Sequence, residues 1–458
     1  MANILFGKTG KSLLFDPKKW SPVGGDMEAP YLLFALARFY PEHTFWIISK
    51  SDYSKVYPNG LSMFPNIKNL WSSEYWEDGI DPMTWSKDTS NEEQITKFYK
   101  FPGSVFDRLG LTIDFAILCS GINFNNTIEF NKVRQDGQGF ARCLQAATFY
   151  LSFIVWTLNE RKIPYVNIIT DPRQDQRIRD LIHLPLFYPS QIDRDIPYGV
   201  TAPQYWMKQP TTVNADAIMK FVYARTEYMT MLFRKPVSEV KNFDKEWFRK
   251  KSGFNMIVNE GLNHVYGSPR YHELKKYVLD DPNFECSIYG KWSPELTEGE
   301  PRFKGQLSPL NLGDVLNTTK YTFCISIDDG WMTAKFVEMC HYGVIPFLHK
   351  NYGHEVKESY IDPYFYVESR EELFNKISEL ENSEEKYFEV IEKIRKVLFE
   401  HGDSIYTGGS SVYELVRSIH KMNPEYSDMF PMKKEFFEAT EHLSDYIVEK
   451  KISMADFF

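Results

Sequence analysis

Cysteine is scarce in this chain. The five in 458 residues (Cys119, Cys143, Cys286, Cys324 and Cys340) are odd in number and scattered, with no CxxC pair and no Cys/His cluster at metal spacing. That excludes a disulfide framework and a structural zinc site, and implies reduced thiols in a cytoplasm. Long apolar runs are also lacking. The longest, ATFYLSFIVWTL at 147–158, has 12 residues and includes polar ones, too few to cross a bilayer. The opening ANILFGKTGK has too short an apolar run, and no cleavage site, for a signal peptide. No low-complexity tract and no repeat at a solenoid period is visible. Histidine clusters are missing as well: His264 and His272 are eight apart, His349 and His354 five apart, so no tight metal site is expected and these histidines read as structural.

Basic charge is in deficit. The net charge is −9, which argues against a protein held on DNA by bulk charge alone but allows a local basic face. One run, RKPVSEVKNFDKEWFRKK at 234–251, holds seven Lys/Arg against three Asp/Glu. Taken alone it reads as a solvated linker.

What the chain does have is apolar material. Hydrophobic residues make up 43% and aromatics 16%, enough for the cores of two or three domains. The first half repeats strand, loop, helix: NILF (3–6), a helix from about 28 to 40 after Gly24-Gly25, TFWIIS (44–49), IDFAILCS (113–120), a helix over 138–161, and YVNIIT (165–170). Residues 53–110 and about 183–245 look like insertions. The second half restarts with FNMIVN (254–259), a helix RYHELKKYVL (270–279), FECSIYG (284–290), YTFCISI (321–327), a helix TAKFVEMCHY (333–342), VIPFLH (344–349), and a helix-rich end with a charged helix around 382–400. Alternating strands and helices imply α/β architecture with parallel, doubly wound sheets. The expected layout is two Rossmann-like domains facing across a cleft. The first spans 1–245, the second 246–430, and a helical tail over 431–458 packs back towards the first.

Ligands of such sheets sit at the carboxyl ends of strands. Three places there carry chemistry. Asp171 follows the strand YVNII directly, before Pro172, where it is either a turn residue or a general base. Lys335 and Glu338 share one helix face, an arrangement equally suited to a phosphate and a ribose diol or to a surface ion pair. The loop after FNMIVN holds Gly261 and Gly267, with Arg270 opening the next helix, a weak nucleotide signal that is not GxGxxG.

These residues resemble a family. The block Glu338-Met339-Cys340-His341-Tyr342-Gly343 is similar to the E-x-M-x-x-G helix of GT-B glycosyltransferases. More narrowly, EAPYL (28–32), IDFAILCSGINF (113–124), ITDPR (169–173), FKGQLSP (303–309), WMTAKFVE (331–338) and FYVESREELFNKISEL (365–380) resemble, in order, segments of the bacteriophage DNA β-glucosyltransferase family. That family moves glucose from UDP-glucose onto hydroxymethylcytosine in duplex DNA. The end, YFEVIEKIRKVLFEHGDS, is also similar to the phage α-glucosyltransferases.

The resemblance implies the following roles. Asp171 is the catalytic base of an inverting transfer. Gly25, Glu28 and Asp329 touch the donor sugar. Gly261, Arg270, Gln306, Leu307, Thr333, Lys335 and Glu338 hold the nucleotide and its phosphates. Arg173 and Arg177 meet DNA, whose target base is flipped out. The donor is a UDP-sugar, UDP-glucose first and UDP-arabinose as the alternative. No tightly bound metal is implied, and Mg2+ acts at most as a stimulant. The partners are duplex DNA and the donor, with no membrane, in the cytoplasm of an infected bacterium; the oligomeric state is not legible. The pattern departs from the family in the nucleotide loop, where only Arg270 of two arginines matches well and Asn263 or His264 stands near the other, and again at Lys335, which replaces an arginine. A lysine lacks the bidentate guanidinium fork. The alternative function is a GT-B transferase acting on a surface glycan or a small hydroxylated metabolite.

Overall fold

A computed structural model describes residues 1–8, 25–47, 64–69, 103, 105–120, 157–169, 199–201, 237–259, 269–307, 311–325, 335–352, 361–399 and 408–439. The chain forms two compact units. One comprises Met1–Ala224 and Ser404–Phe458, the other Arg225–Asp403.

The first unit is built on a six-stranded sheet of order β3-β2-β1-β4-β5-β6. Its strands are β1 (Asn3–Lys8), β2 (Thr44–Ile47), β3 (Ile67–Asn69), β4 (Phe115–Ser120), β5 (Tyr165–Ile169) and β6 (Gly199–Thr201). All pairs are parallel except β5 with β6. Ile4, Leu5 and Phe6 on β1 and Phe115 to Leu118 on β4 are all buried. Such continuous apolar runs are what a parallel sheet covered on both faces requires. Helix α1 (Gly25–Phe39) follows β1. Leu32, Leu33, Phe34, Ala35, Leu36 and Ala37 are buried with no exposed side among them, as expected of a helix held between other elements.

Two strands lie inside the stretches that looked like insertions. β3 falls within 53–110 and β6 within 183–245, each a three-residue edge strand. IKN and GVT are too short to show a period-2 pattern.

The chain's late segment completes this unit. His43 accepts a hydrogen bond from the Ala2 N–H at Nδ1 (3.1 Å) and donates from Nε2 to the Met429 carbonyl (2.6 Å). Those two bonds fix a neutral tautomer. Tyr40 Oη donates to the Pro431 carbonyl, and Lys433 Nζ donates to the Phe39 carbonyl and to Glu42. Burial holds His43 below the usual histidine range. The charged groups nearest it are Glu42, which opposes that shift, and Lys433 and the chain's amino terminus, which add to it. A lowered folded-state value means the unfolded chain binds the extra proton. Stability is therefore full above pH 6.5, the unfolded value, and is lost as pH falls through the folded value. We expect the first unit's urea midpoint to decline as pH falls below about 6.5. A His43→Gln protein should lose that dependence while being less stable at pH 7.5.

The second unit carries another six-stranded sheet, of order β12-β11-β10-β7-β8-β9. It comprises β7 (Ser252–Ile257), β8 (Ser287–Tyr289), β9 (Phe303–Gly305), β10 (Thr319–Cys324), β11 (Ile345–His349) and β12 (Tyr366–Val367). All pairs are parallel. Counted within each unit, both sheets run 3-2-1-4-5-6, the Rossmann strand order. Two Rossmann-ordered sheets in one chain give the expected α/β class.

The basic run is not a solvated linker. It folds as α2 (Val237–Asn242) and α3 (Lys245–Arg249), the latter capped by Asp244 accepting from the Glu246 and Trp247 N–H groups. Arg249 pairs with Glu246 and with Glu384 of α8 (Glu384–Phe399), and Lys245 lies 4.9 Å over the Phe388 ring. Lys251 is buried. Its ammonium donates to the carbonyls of Leu316, Asn317 and Thr319 at the end of α5 (Leu312–Thr318). Burial pushes Lys251 down to about 7, and those three carbonyls oppose the fall by binding the charged form. Three of the run's seven cations thus take part in folding contacts.

Candidate nucleotide-sugar site

In a 3-2-1-4-5-6 sheet the ligand crevice opens where strand order reverses, at the carboxyl ends of the first and fourth strands. In the second unit these are β7 and β10. Each leads into a helix that carries candidate residues. After β7 comes α4 (Pro269–Leu274), whose second residue is Arg270. After β10 comes α6 (Lys335–His341), which opens on Lys335 and holds Glu338 three residues later. Lys335 and Glu338 form a close ion pair. It is not a surface pair: the Glu338 side chain is 7% exposed and that of Lys335 29%. A buried carboxylate with an ammonium at its mouth suits a ribose diol beside a phosphate.

The ends of β7, β8 and β9 are stitched together at this rim. Val258 N–H donates to the Tyr289 carbonyl (2.8 Å), and Gly290 N–H to the Gly305 carbonyl (2.9 Å). The Asn259 side-chain carbonyl accepts from the Lys291 N–H (2.8 Å), while the Asn259 backbone carbonyl accepts from Arg270 Nη1 (2.8 Å). Asn259 thus ties β8 to α4. Gln306, exposed, and Leu307, half-buried, follow β9 directly on the same rim. Around α6 the Phe336 N–H donates to Tyr352 Oη (3.3 Å). Burial pushes the Cys324 thiol up to about 12, and Cys340 is also raised well above its ordinary value. Neither thiol is a nucleophile at neutral pH.

The helix expected over 270–279 changes character midway. Residues Lys275–Leu279 form a π-turn, with Tyr277 and Val278 buried. Glu273, on α4 one turn past Arg270, meets His349 at the end of β11 (3.0 Å). Neither Asn259 nor this pair stood out in the sequence.

In the first unit, Gly25 and Glu28 form the opening turn of α1 after β1, and β5 ends at Ile169. Asp171, Arg173, Arg177, Gly261, Asp329 and Thr333 lie outside the described residues. Among the described residues, no group of three or more His, Cys, Asp or Glu could hold a metal ion, and no helix is long and apolar enough to cross a membrane.

No protein-family model and no curated protein matches the chain. Several solved structures are similar to it in fold. One is T4 phage BGT in complex with UDP and Mn2+, with TM-score 0.44 and 12% identity over 94% of this chain and 100% of that one. Another is the Staphylococcus aureus MnaA–UDP co-structure, with TM-score 0.43 and 10% identity over 94% and 99%. A third is a putative UDP-N-acetylglucosamine 2-epimerase from Listeria monocytogenes, with TM-score 0.42 and 11% identity over 94% and 98%.

Proposed function

We propose that the protein is a UDP-sugar-dependent glycosyltransferase of the GT-B type that moves a sugar, with inversion, onto the hydroxymethyl group of a modified cytosine in duplex DNA. The observation that carries the donor half is the placement of Arg270 and the Lys335–Glu338 pair on the helices following β7 and β10. The motif resemblance supplies the acceptor half.

In this reading Glu338 accepts from the ribose hydroxyls. Lys335 and Arg270 hold the diphosphate and stabilise the charge that grows on it as the glycosidic bond breaks. A hydroxyl is a poor nucleophile at neutral pH, so Asp171 takes its proton as oxygen attacks the anomeric carbon. Attack opposite the leaving diphosphate inverts the sugar. Gly25, Glu28 and Asp329 contact the sugar, Gly261, Gln306, Leu307 and Thr333 the nucleotide, and Arg173 and Arg177 the DNA. Lys335→Met should raise the Kd for UDP about 30-fold, ~2 kcal/mol, the scale of one hydrogen bond to a charged group; calorimetry reads this directly.

One observation favours the acceptor other than DNA. In the main basic run Arg249 pairs with Glu384, Lys245 lies over the Phe388 ring and Lys251 is buried, in a chain of net charge −9. The deciding experiment incubates the protein with hydroxymethylcytosine duplex DNA and UDP-glucose or UDP-arabinose, then weighs the digested nucleosides. A hexose or pentose increment that disappears in Asp171→Asn supports the DNA reading. No increment with any UDP-sugar, together with slow donor hydrolysis and no salt-sensitive DNA binding, moves the acceptor to a glycan or small metabolite.

A further inference from the structure

We propose that Glu273 and His349 form a positioning pair that sets Arg270 for the donor's diphosphate. The proposal rests on the reading of the second unit as a nucleotide-sugar site. α4 has six residues and gives way at once to the π-turn. So short a helix holds little stability of its own and takes its place from its tethers. Three are present. Arg270 is bound to the Asn259 carbonyl at the end of β7. Tyr277 Oη donates to the Glu368 carbonyl just past β12 (2.8 Å). Between them, Glu273 Oε2 meets His349 Nε2 (3.0 Å).

His349 is itself fixed. It is buried at the carboxyl end of β11, the Asn351 N–H donates to its Nδ1 (3.4 Å), and the Tyr277 ring packs edge-on against it at 5.5 Å. With Nδ1 accepting, Nε2 carries the proton that Glu273 receives. Arg270 and Glu273 are three residues apart, so a restraint on one restrains the other's turn. The strand that presents His349 is also the one into which α6 leads, the helix of Lys335 and Glu338. The pair therefore ties the α4 side of the crevice to the strand behind the α6 side. Neither residue need touch the donor.

The test is titration of the full-length protein with UDP. His349→Ala should raise the Kd about tenfold. His349→Gln, which keeps an N–H donor facing Glu273, should stay within twofold of the parent. Glu273→Ala, at a half-exposed carboxylate, should match His349→Ala and serves if that variant does not fold. Arg270→Ala should weaken binding, and adding His349→Ala to it should cost less than a further twofold, because the pair then has nothing left to position. A structural role alone would give neither the glutamine rescue nor the lost additivity. Unchanged affinity in His349→Ala and Glu273→Ala, or full additivity with Arg270→Ala, overturns the positioning role while leaving the donor site intact. A parent protein that binds no UDP overturns the donor site and the positioning role together.

Discussion

Gly290→Ala is expected to destabilise the second unit by about 4 kcal/mol and to weaken UDP binding at least tenfold. Gly290 has φ +149°, in the range that side chains disfavour, and a Cβ there would lie 2.0 Å from the Val258 carbonyl oxygen and 2.7 Å from its carbon. Those atoms are backbone at the end of β7 and cannot swing aside. Strain at such a position costs ~1–3 kcal/mol, and forced displacement of packed neighbours adds ~1–3 kcal/mol. The displacement falls on the bonds that build the rim: Gly290 N–H to Gly305, Lys291 N–H to the Asn259 side chain, and through Asn259 the anchor of Arg270. Loss of fold and loss of affinity should therefore come together. A urea titration and a UDP titration on the same preparation check this. An alanine variant as stable as the parent would mean the strand ends part freely, and the rim could not then orient Arg270.

The places of Arg270, Lys335 and Glu338 in the fold were legible in the sequence, and the reason is local. Arg270, Lys335 and Glu338 each stand within a few residues of an apolar run that announces a strand or helix, so their place at strand ends could be read without knowing the sheet order. The elements that escaped depend on distant partners or are too short for a period. β3 and β6 have three residues each. Glu273 and His349 are 76 apart in the chain, Asn259 and Lys291 32 apart, and nothing in either window marks the other. The basic run misled for the same reason. Its composition suggests a solvated face, yet Glu384 lies 135 residues beyond Arg249 and the carbonyls that take Lys251 lie 65 to 68 residues on. Spacing shows which charges exist; only the fold shows which are already neutralised.

Gly409→Ala should do to the first unit what Gly290→Ala does to the second, with the opposite consequence for the donor. Gly409 opens α9 (Gly409–Met422), and a Cβ there would lie 1.9 Å from the Phe436 carbonyl oxygen and 2.7 Å from its carbon. Phe436 belongs to α10 (Glu435–Glu438), so the added methyl group pushes that turn off α9. Phe436 packs edge-on against Phe39 (5.3 Å) and Tyr40 (6.0 Å) at the end of α1. A few residues earlier, Tyr426 and Phe430 pack on Phe115 of β4 (5.2 and 5.1 Å). β4 in turn pairs with β5, the strand that leads to Asp171. Backbone displacement at ~3 kcal/mol and loosened aromatic pairs at ~1 kcal/mol together give a loss of about 4 kcal/mol. The first unit's melting temperature should fall by about 10 °C. Because Arg270, Lys335 and Glu338 all lie in the other unit, the Kd for UDP should stay within twofold of the parent, while transfer to any acceptor fails as the first unit melts. A Gly409→Ala protein that lost UDP affinity at a temperature where both units remain folded would show that nucleotide binding needs the chain's returning segment, and would move part of the nucleotide site into the first unit.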